Sequence, residues 1–161
     1  VTHLFVSPFL RTVQTANEVA EVLDLPLYLE PGLGEWLNPE WFPRDPERLP
    51  LQALAAQFPR IDVTYIPCHG SVYPETWDVH RERAGETARR LVAAFPTAKP
   101  LIVGHAASVT SAARGLVPAV EVADCALCSL FKVVRTDDGW HMDLCGDVSH
   151  LDHAEAAGRF V

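Results

Sequence analysis

The sequence contains no long apolar run and no cluster of basic residues, and each absence excludes a class of protein. No stretch approaches the roughly 18 uninterrupted apolar residues that a membrane-spanning helix needs, which excludes a transmembrane protein. With 13 Lys and Arg against 21 Asp and Glu, the formal net charge is −8. This balance argues against a nucleic-acid groove or an anionic membrane surface as the main partner. A local pocket for a small anion stays compatible with it, because net charge does not describe one cavity.

Cysteine is also scarce, with four residues in the chain. Four are too few for a disulfide-dense secreted scaffold of this length. Cys125 and Cys128 have the two-residue gap of a zinc or redox motif, for which Cys145 and His141 are the nearest further ligands. An apolar run of strand type begins at Cys128, however, and it favours buried or free thiols over a metal site. The composition therefore indicates a reducing compartment such as the cytoplasm.

The start of the chain has no basic region followed by a long apolar stretch, so no signal peptide is predicted. The chain does not begin with Met and opens inside an apolar segment, which favours a fragment of a longer protein. Its 161 residues, 48% of them hydrophobic, suffice for a sizeable core. We predict one domain over residues 1–161.

Apolar residues recur at strand-type and helix-type spacings in turn, which predicts an α/β fold with a mostly parallel sheet flanked by helices. The predicted strands are His3–Val6, Leu27–Leu29 and Leu101–Gly104. The predicted helices are Pro8–Leu23, Leu49–Phe58, Trp77–Phe95 and Ala106–Leu116. A terminal hairpin is predicted from Cys128–Arg135 and Trp140–Cys145, which flank an Asp-Gly pair. The long proline-rich loop Glu30–Pro50 carries Trp36 and Trp41, and a loop of this length is usually functional.

Two predicted strand-to-helix junctions carry basic side chains. In open α/β sheets, ligands collect at the carboxyl ends of the strands, where the helices begin. Arg11 lies in the first turns of one helix, where its guanidinium and the free backbone N–H groups suit a phosphate. His105 begins another helix and could donate to an oxyanion or transfer a proton. A solvated Arg11 and a helix-capping or core-edge His105 are the alternatives, but the presence of both junctions in one sheet favours anion binding.

Three motifs resemble those of one family. Ser7–Ala16 resembles the "SPxxRxxQTA" segment of the histidine phosphatase superfamily, which has the phosphoglycerate-mutase-like fold, and Val103–Ala106 resembles its second histidine motif. Glu30–Trp36 is similar to the "EPGLFEW" segment of the suppressor of T-cell signalling and ecdysteroid-phosphate phosphatases, from which only Gly34 departs. The resemblance runs from about residue 1 to the hairpin near residue 145.

The resemblance implies a phosphomonoester hydrolase that works through a phosphohistidine intermediate, with no metal or organic cofactor. Arg11 would bind the phosphoryl group, and His105 would hold its oxygens and stabilise charge in the transition state. Glu35 would protonate the leaving alcohol or phenol. The aromatic loop around Trp36 would wall the pocket and favour bulky, phosphotyrosine-like esters. Glu75 is a further candidate acid or supporting partner, although a surface position at a helix start is the favoured interpretation.

One part of the family pattern is absent. The family nucleophile is a histidine in an Arg-His-Gly motif at the end of the first strand, and the sequence contains no Arg-His-Gly. The histidines without a matching context are His3, His69, His80, His141, His150 and His153. We therefore expect the nucleophile strand to precede Val1 and residues 1–161 alone to be inactive.

Other interpretations stay open. The nucleophile strand could belong to a separate chain, or the protein could be an inactive pseudophosphatase that serves as a binding or dimerisation module. A phosphoglycerate-type mutase is disfavoured, because the segment around Glu35 resembles the phosphatase branch. The expected partners are a phosphate-ester substrate and, as an open alternative, a second copy in a homodimer.

Overall fold

The computed structural model describes residues 1–119, 121 and 125–151, and its elements alternate along the chain as in an α/β protein. The strands are β1 (His3–Val6), β2 (Leu27–Leu29), β3 (Pro100–Val103), β4 (Leu130–Thr136) and β5 (Gly139–Asp147). The helices are α1 (Leu10–Leu23), α2 (Leu51–Gln57), α3 (Trp77–Ala94) and α4 (Ala106–Leu116), and a 3₁₀ turn covers Pro31–Leu33. None of the helices in the described ranges is both long and apolar enough to cross a membrane.

Strand β1 is the centre of a three-stranded parallel sheet with the order β2-β1-β3. Pairing continues beyond the strand ends, because the Ser7 N–H donates to the Val103 carbonyl at 3.0 Å. On the other side, the Glu30 N–H donates to the Val6 carbonyl at 2.8 Å. Since the strands are parallel, the segments after all three of them meet at one edge of the sheet.

The core lies on both faces of β1, as expected for a central parallel strand. Leu4 and Val6 pack with Val13 of α1 on one face, whereas Phe5 packs with Leu91 of α3 on the other. All five side chains are at most 1% exposed. The predicted α/β fold, with a parallel sheet flanked by helices, is confirmed.

Helices α3 and α4 cross in close backbone contact at Gly85 and Gly115. A Cβ at Gly115 would overlap the backbone of Gly85, and a Cβ at Gly85 would lie 3.2 Å from the Gly115 Cα. Residues without side chains let the two helix axes approach closely. This crossing holds α4, whose first turn begins at the carboxyl edge of the sheet.

Strands β4 and β5 form the predicted hairpin, which is separate from the parallel sheet. Gly139 comes directly after the turn with φ of 119°, a conformation that favours glycine. Within the described ranges, β3 pairs with β1 alone, although all four β3 residues are half-buried. One edge of the parallel sheet is therefore open in this part of the chain.

Helix α1 begins at Leu10 and not at Pro8 as predicted. Phe9 remains extended, and the Thr12 hydroxyl donates to the carbonyls of Ser7 and Phe9, which holds the turn before the helix. The remaining predicted boundaries agree with the structure within two residues.

Candidate anion-binding site

The junction between β1 and α1 places Arg11 at the carboxyl edge of the sheet. The Thr12 hydroxyl donates to the Ser7 carbonyl at 2.8 Å and to the Phe9 carbonyl at 2.7 Å, which fixes the turn. Arg11 lies in the first turn of α1, and its side chain is 53% exposed. An accessible guanidinium beside the free N–H groups of a helix start suits an anion.

The junction between β3 and α4 places His105 at the same edge. The His105 backbone N–H donates to the Ser108 hydroxyl at 3.0 Å, and the imidazole is buried, with its edge toward the Phe9 ring at 5.0 Å between centroids. The imidazole Nε2 lies 2.8 Å from Ser7 Oγ. Gly104 is needed here, because a Cβ would lie 2.8 Å from Ser108 Oγ.

Arg11, Glu35 and His105 meet at one point. Arg11 Nη2 lies 2.9 Å from His105 Nδ1 and donates to Glu35 Oε2 at 3.0 Å. Glu35 Oε2 is also 3.2 Å from His105 Nδ1. The predicted proximity of Arg11 and His105 is thus confirmed, and the loop after β2 brings the predicted acid Glu35 to them. The catalytic and binding roles of the three residues stay predictions.

The contacts of the His105 imidazole are compatible with two proton arrangements. If the Ser7 hydroxyl donates to Nε2, then Nδ1 carries the ring proton and donates to Glu35. If Nε2 carries the proton and donates to Ser7, then Nδ1 accepts from Arg11. Of these two arrangements, only the first places an N–H on the side of Arg11 and Glu35, where it could donate to an anion.

The ionisable groups of the site perturb one another. Burial alone would raise the pKa of the Glu35 carboxyl, but the hydrogen bond and charge of His105 oppose it. The Trp36 N–H and the Arg11 guanidinium also counteract the effect of burial, so the pKa of Glu35 lies below its ordinary value. Burial lowers the pKa of His105, and Glu35 only partly offsets this. Near neutral pH, Glu35 is therefore a carboxylate and His105 is largely uncharged.

The Phe9 ring lies close to two guanidinium groups, those of Arg11 and Arg48. The guanidinium carbons of Arg11 and Arg48 lie 5.0 Å and 5.8 Å from the centroid of this ring. Phe9 is 7% exposed and also contacts the His105 ring. It therefore covers part of the imidazole, while Nδ1 keeps its contacts with Arg11 and Glu35.

Aromatic residues line the loop beside Glu35. The Trp36 ring meets Trp41 at 4.9 Å and Trp77 at 5.1 Å between centroids, both in edge-to-face geometry. The Trp36 indole N–H donates to the Glu75 carbonyl at 3.1 Å. Trp41 is 59% exposed, so it presents an aromatic surface to solvent near the site.

The favoured interpretation of Glu75 as a surface residue is wrong. Glu75 is 4% exposed, because Arg83 and His80 of α3 cover and pair with its carboxylate. Arg83 is itself 5% exposed. A sequence signal existed: Arg83 lies three residues after His80 and four before Thr87, in phase with the buried face of α3.

A second buried carboxylate, Glu30, holds the segment around Cys68 in place by hydrogen bonds. Glu30 is fully buried and accepts hydrogen bonds from the Tyr65 hydroxyl and from the backbone N–H groups of Cys68 and His69. Burial and the nearby Glu30 raise the pKa of the Cys68 thiol to about 12. Cys68 is therefore a thiol and not a thiolate nucleophile near neutral pH.

The other candidate residues lie apart from this cluster. His3 lies in β1 and packs against the Phe95 ring at 4.9 Å between centroids, whereas His153 lies outside the described residues. Cys125 and Cys128 are free thiols. Over residues 1–119, 121 and 125–151, no group of three or more His, Cys, Asp or Glu side chains is placed to hold a metal ion.

Comparison with known proteins adds to this geometry. The family model described as histidine phosphatase superfamily (branch 1) matches residues 1–148. Human ubiquitin-associated and SH3 domain-containing protein B is 32% identical over 132 residues, which are 73% of this chain and 20% of that protein. The transcription factor tau 55 kDa subunit of Saccharomyces cerevisiae is 31% identical over 101 residues, which are 62% of this chain and 21% of that protein. The chain therefore spans about a fifth of the length of these curated relatives.

A solved structure shares the fold. The ecdysone phosphate phosphatase of Bombyx mori, crystallised with tungstate, matches with a TM-score of 0.72 and 20% identity. The match covers 100% of this chain and 68% of that one. At this identity the likeness establishes the common fold, including the parallel sheet and its flanking helices.

Proposed function

Because the chain belongs to the histidine phosphatase superfamily (branch 1), we propose that it forms the anion-binding part of a phosphomonoester hydrolase that works through a phosphohistidine. The observation that carries this proposal is the meeting of Arg11, Glu35 and His105, with Nη2, Oε2 and Nδ1 at most 3.2 Å apart. Apart from the attacking group, phosphoryl transfer requires a cation and a hydrogen-bond donor at the phosphoryl oxygens and an acid at the leaving oxygen, and these three residues supply them.

Each residue has one role in the proposed reaction. Arg11 binds the phosphoryl oxygens through its fork of N–H donors, and His105 donates Nδ1–H to them. A histidine nitrogen attacks phosphorus, the bond to the leaving oxygen breaks, and Glu35 gives that oxygen its proton. Water then attacks the phosphohistidine, returns a proton to Glu35 and releases phosphate. Because the bound dianion takes over Arg11 and His105 and repels the carboxylate, it raises the pKa of Glu35 and lets this residue act as the acid.

The attacking histidine is proposed to come from a strand outside residues 1–161. The open edge of β3 supports this, because a parallel strand there would end beside Gly104 and His105. The half-burial of Leu101, Ile102 and Val103 supports it too, since a central parallel strand is normally covered on both sides. Residues 1–161 alone would then bind phosphate without turnover.

The substrate class is proposed to be a bulky or aromatic phosphate ester, such as phosphotyrosine. The exposed Trp41 ring supports it, because Trp41 packs on Trp36, the residue next to the acid Glu35. The solved relative is named for another phosphate ester, ecdysone phosphate. We expect Trp41→Ala to raise KM for a phosphotyrosine peptide about 5-fold, which corresponds to roughly 1 kcal/mol of lost aromatic packing. KM for glycerol phosphate should stay unchanged, and an equal rise for both substrates would remove Trp41 from substrate selection.

A second candidate function is a pseudophosphatase that binds an anionic group or dimerises without turnover. The Saccharomyces cerevisiae relative favours it, because that protein is named as a transcription factor subunit and not as an enzyme. A phosphoglycerate-type mutase has less support, since the segment around Glu35 is the part that resembles the phosphatase branch.

The test is an assay of the full-length protein on p-nitrophenyl phosphate. Steady hydrolysis that disappears in His105→Ala supports the hydrolase. Phosphate binding without hydrolysis supports the binding module, and exchange that depends on 3-phosphoglycerate supports the mutase. Robust hydrolysis by a polypeptide of residues 1–161 would show that the attacking group lies within this sequence.

The proposal treats residues 1–161 as part of one domain that needs no metal or organic cofactor, because Arg11 and His105 meet the phosphoryl charge. The acidic composition and the four free cysteines fit a reducing location, which we propose to be the cytoplasm. A homodimer stays open as a partner arrangement, and sedimentation of the full-length protein would test it.

A further inference from the structure

One buried arginine of α3, Arg83, donates hydrogen bonds to the backbone of the segment that carries Glu35. Arg83 Nη1 donates to the Gly32 carbonyl at 2.9 Å, and Nη2 donates to the Glu35 carbonyl at 3.0 Å. The Gly34 carbonyl lies at 3.4 Å from Nη1. One guanidinium therefore contacts the backbone on both sides of the Glu35 amide.

A buried carboxylate holds the same segment beyond Glu35. Glu75 Oε1 accepts the Leu37 N–H at 3.0 Å, and Oε2 accepts Arg83 Nε at 3.0 Å. The Glu75 backbone carbonyl accepts the indole N–H of Trp36. Glu35 thus lies between backbone groups that are bound by Arg83 and backbone groups that are bound by Glu75.

Glu75 stays charged, which keeps this pair intact. Burial alone would raise the pKa of Glu75, but hydrogen bonds from His80 and Arg83 and from the Leu37 N–H outweigh it and lower the pKa to about 2. His80 is fully buried, with Nδ1 at 2.8 Å from Arg83 Nη2. The arginine therefore has protein partners on every side and no free N–H group for a substrate.

We propose that Arg83 and Glu75 are positioning residues that hold the Glu35 carboxyl group against Arg11 and His105. The two residues act through the backbone of the Glu35 segment and do not touch the anion. This inference rests on the proposed function of the site, in which Glu35 is the acid.

Arginine suits this position better than lysine. A planar guanidinium can donate to Gly32, Glu35 and Glu75 at once, whereas an ammonium is a point charge that cannot span them. Arg83→Lys keeps the charge beside Glu75, so the buried carboxylate is not left without a partner. It should loosen the Glu35 segment while the fold is retained.

The test is a double-mutant cycle in the full-length protein, with sulfate binding measured by calorimetry near pH 7. Glu35 competes with the anion for Arg11 and His105, so a loosened Glu35 should compete less well. We expect Arg83→Lys to bind sulfate about 2- to 10-fold more tightly than the wild type, within the range of coupled neighbours. The same change in an E35Q background should have no effect. Arg81→Lys, an exposed arginine of the same helix, is the matched control and should have no effect in either background.

Two further measurements separate positioning from a general structural role. Titration of the Glu35 carboxyl by NMR should show its pKa rising toward the ordinary value in Arg83→Lys. With p-nitrophenyl phosphate, kcat should fall while KM stays constant or decreases. If circular dichroism shows that Arg83→Lys does not fold, E75Q replaces it: the glutamine oxygen can still accept the Leu37 N–H, but the negative charge that pairs with Arg83 is lost.

The outcomes are distinct. An equal change of sulfate affinity in both backgrounds, or no change in the wild-type background, would overturn the positioning role. Failure of the wild-type protein to bind sulfate would instead overturn the proposed function. Binding that strengthens only in the presence of Glu35 supports both.

Discussion

Under the proposed function, Glu35 occupies the donors of Arg11 and His105 in the free protein, so its replacement should strengthen anion binding. Its carboxylate lies 3.0 Å from Arg11 Nη2 and 3.2 Å from His105 Nδ1. A bound dianion requires the same two groups and also repels the carboxylate. Glu35→Gln keeps the shape of the side chain and removes its charge, which isolates this competition.

The expected gain in sulfate affinity depends on how exposed the contacts of Glu35 with Arg11 and His105 are. The Arg11 side chain is 53% exposed, and an ion pair of this kind is worth about 0.2–1 kcal/mol. A hydrogen bond to the buried His105 adds about 1 kcal/mol. The sum of about 1–2 kcal/mol corresponds to sulfate binding that is about 5- to 30-fold tighter in Glu35→Gln.

Calorimetric titration with sulfate at constant ionic strength measures the gain in affinity. Sulfate is the suitable anion because it remains a dianion in mildly acidic solution. The gain should be greatest near pH 7 and should vanish as the pH falls through the pKa of Glu35, which lies below its ordinary value of 4.5. Since Glu35 raises the pKa of His105, the ratio of the two affinities reports the competition near pH 7, where His105 is largely uncharged in both proteins. Glu40→Gln, an exposed residue of the same loop, controls for net charge. Equal or weaker sulfate binding by Glu35→Gln near pH 7 would refute the competition.

Three other changes have defined outcomes. Ser7→Ala removes the hydroxyl at 2.8 Å from His105 Nε2 and should weaken sulfate binding by about 1 kcal/mol in the same titration. Gly115→Ala forces α3 and α4 apart and should lower the free energy of unfolding in urea by about 1–3 kcal/mol, whereas Gly70→Ala, with open space around its Cβ, should change it little. The pKa of Glu75 is lowered to about 2 in the fold, so the stability it contributes is present above pH 4.5 and lost as the pH falls toward 2. Urea unfolding at several pH values should show a loss of at most about 3 kcal/mol that is absent in E75Q.

The meeting of Arg11 and His105 was predictable because it depends on local sequence and on a general property of parallel sheets. Each residue comes after a short apolar strand and near the start of a helix, and β1 and β3 are neighbours. Neighbouring parallel strands bring their strand-to-helix junctions to the same edge of the sheet. The hydrogen bond of His105 with Ser7 was not predicted, since it depends on the turn that Thr12 fixes before α1.

The contacts by which Arg83 and Glu75 hold the Glu35 segment could not be predicted in the same way. Arg83 and Glu75 are charged residues, which are almost never fully buried unless they are paired. Their pairing depends on the path of a loop that has no regular periodicity. Opposite charges at the start and in the first half of α3 were visible, but the carbonyls of Gly32 and Glu35 that complete the network carry no sequence signal.

In the proposed function, holding the anion and attacking it depend on different strands. The described residues supply Arg11 after β1, Glu35 after β2 and His105 after β3, and all three side chains meet without a contribution from the open side of β3. We therefore expect a protein that lacks an attacking histidine beside β3 to bind sulfate without turnover, and His105→Ala to lose both activities. Sulfate affinity and hydrolysis measured on one preparation thus distinguish a hydrolase from a binding module, because the two activities respond to different parts of one sheet.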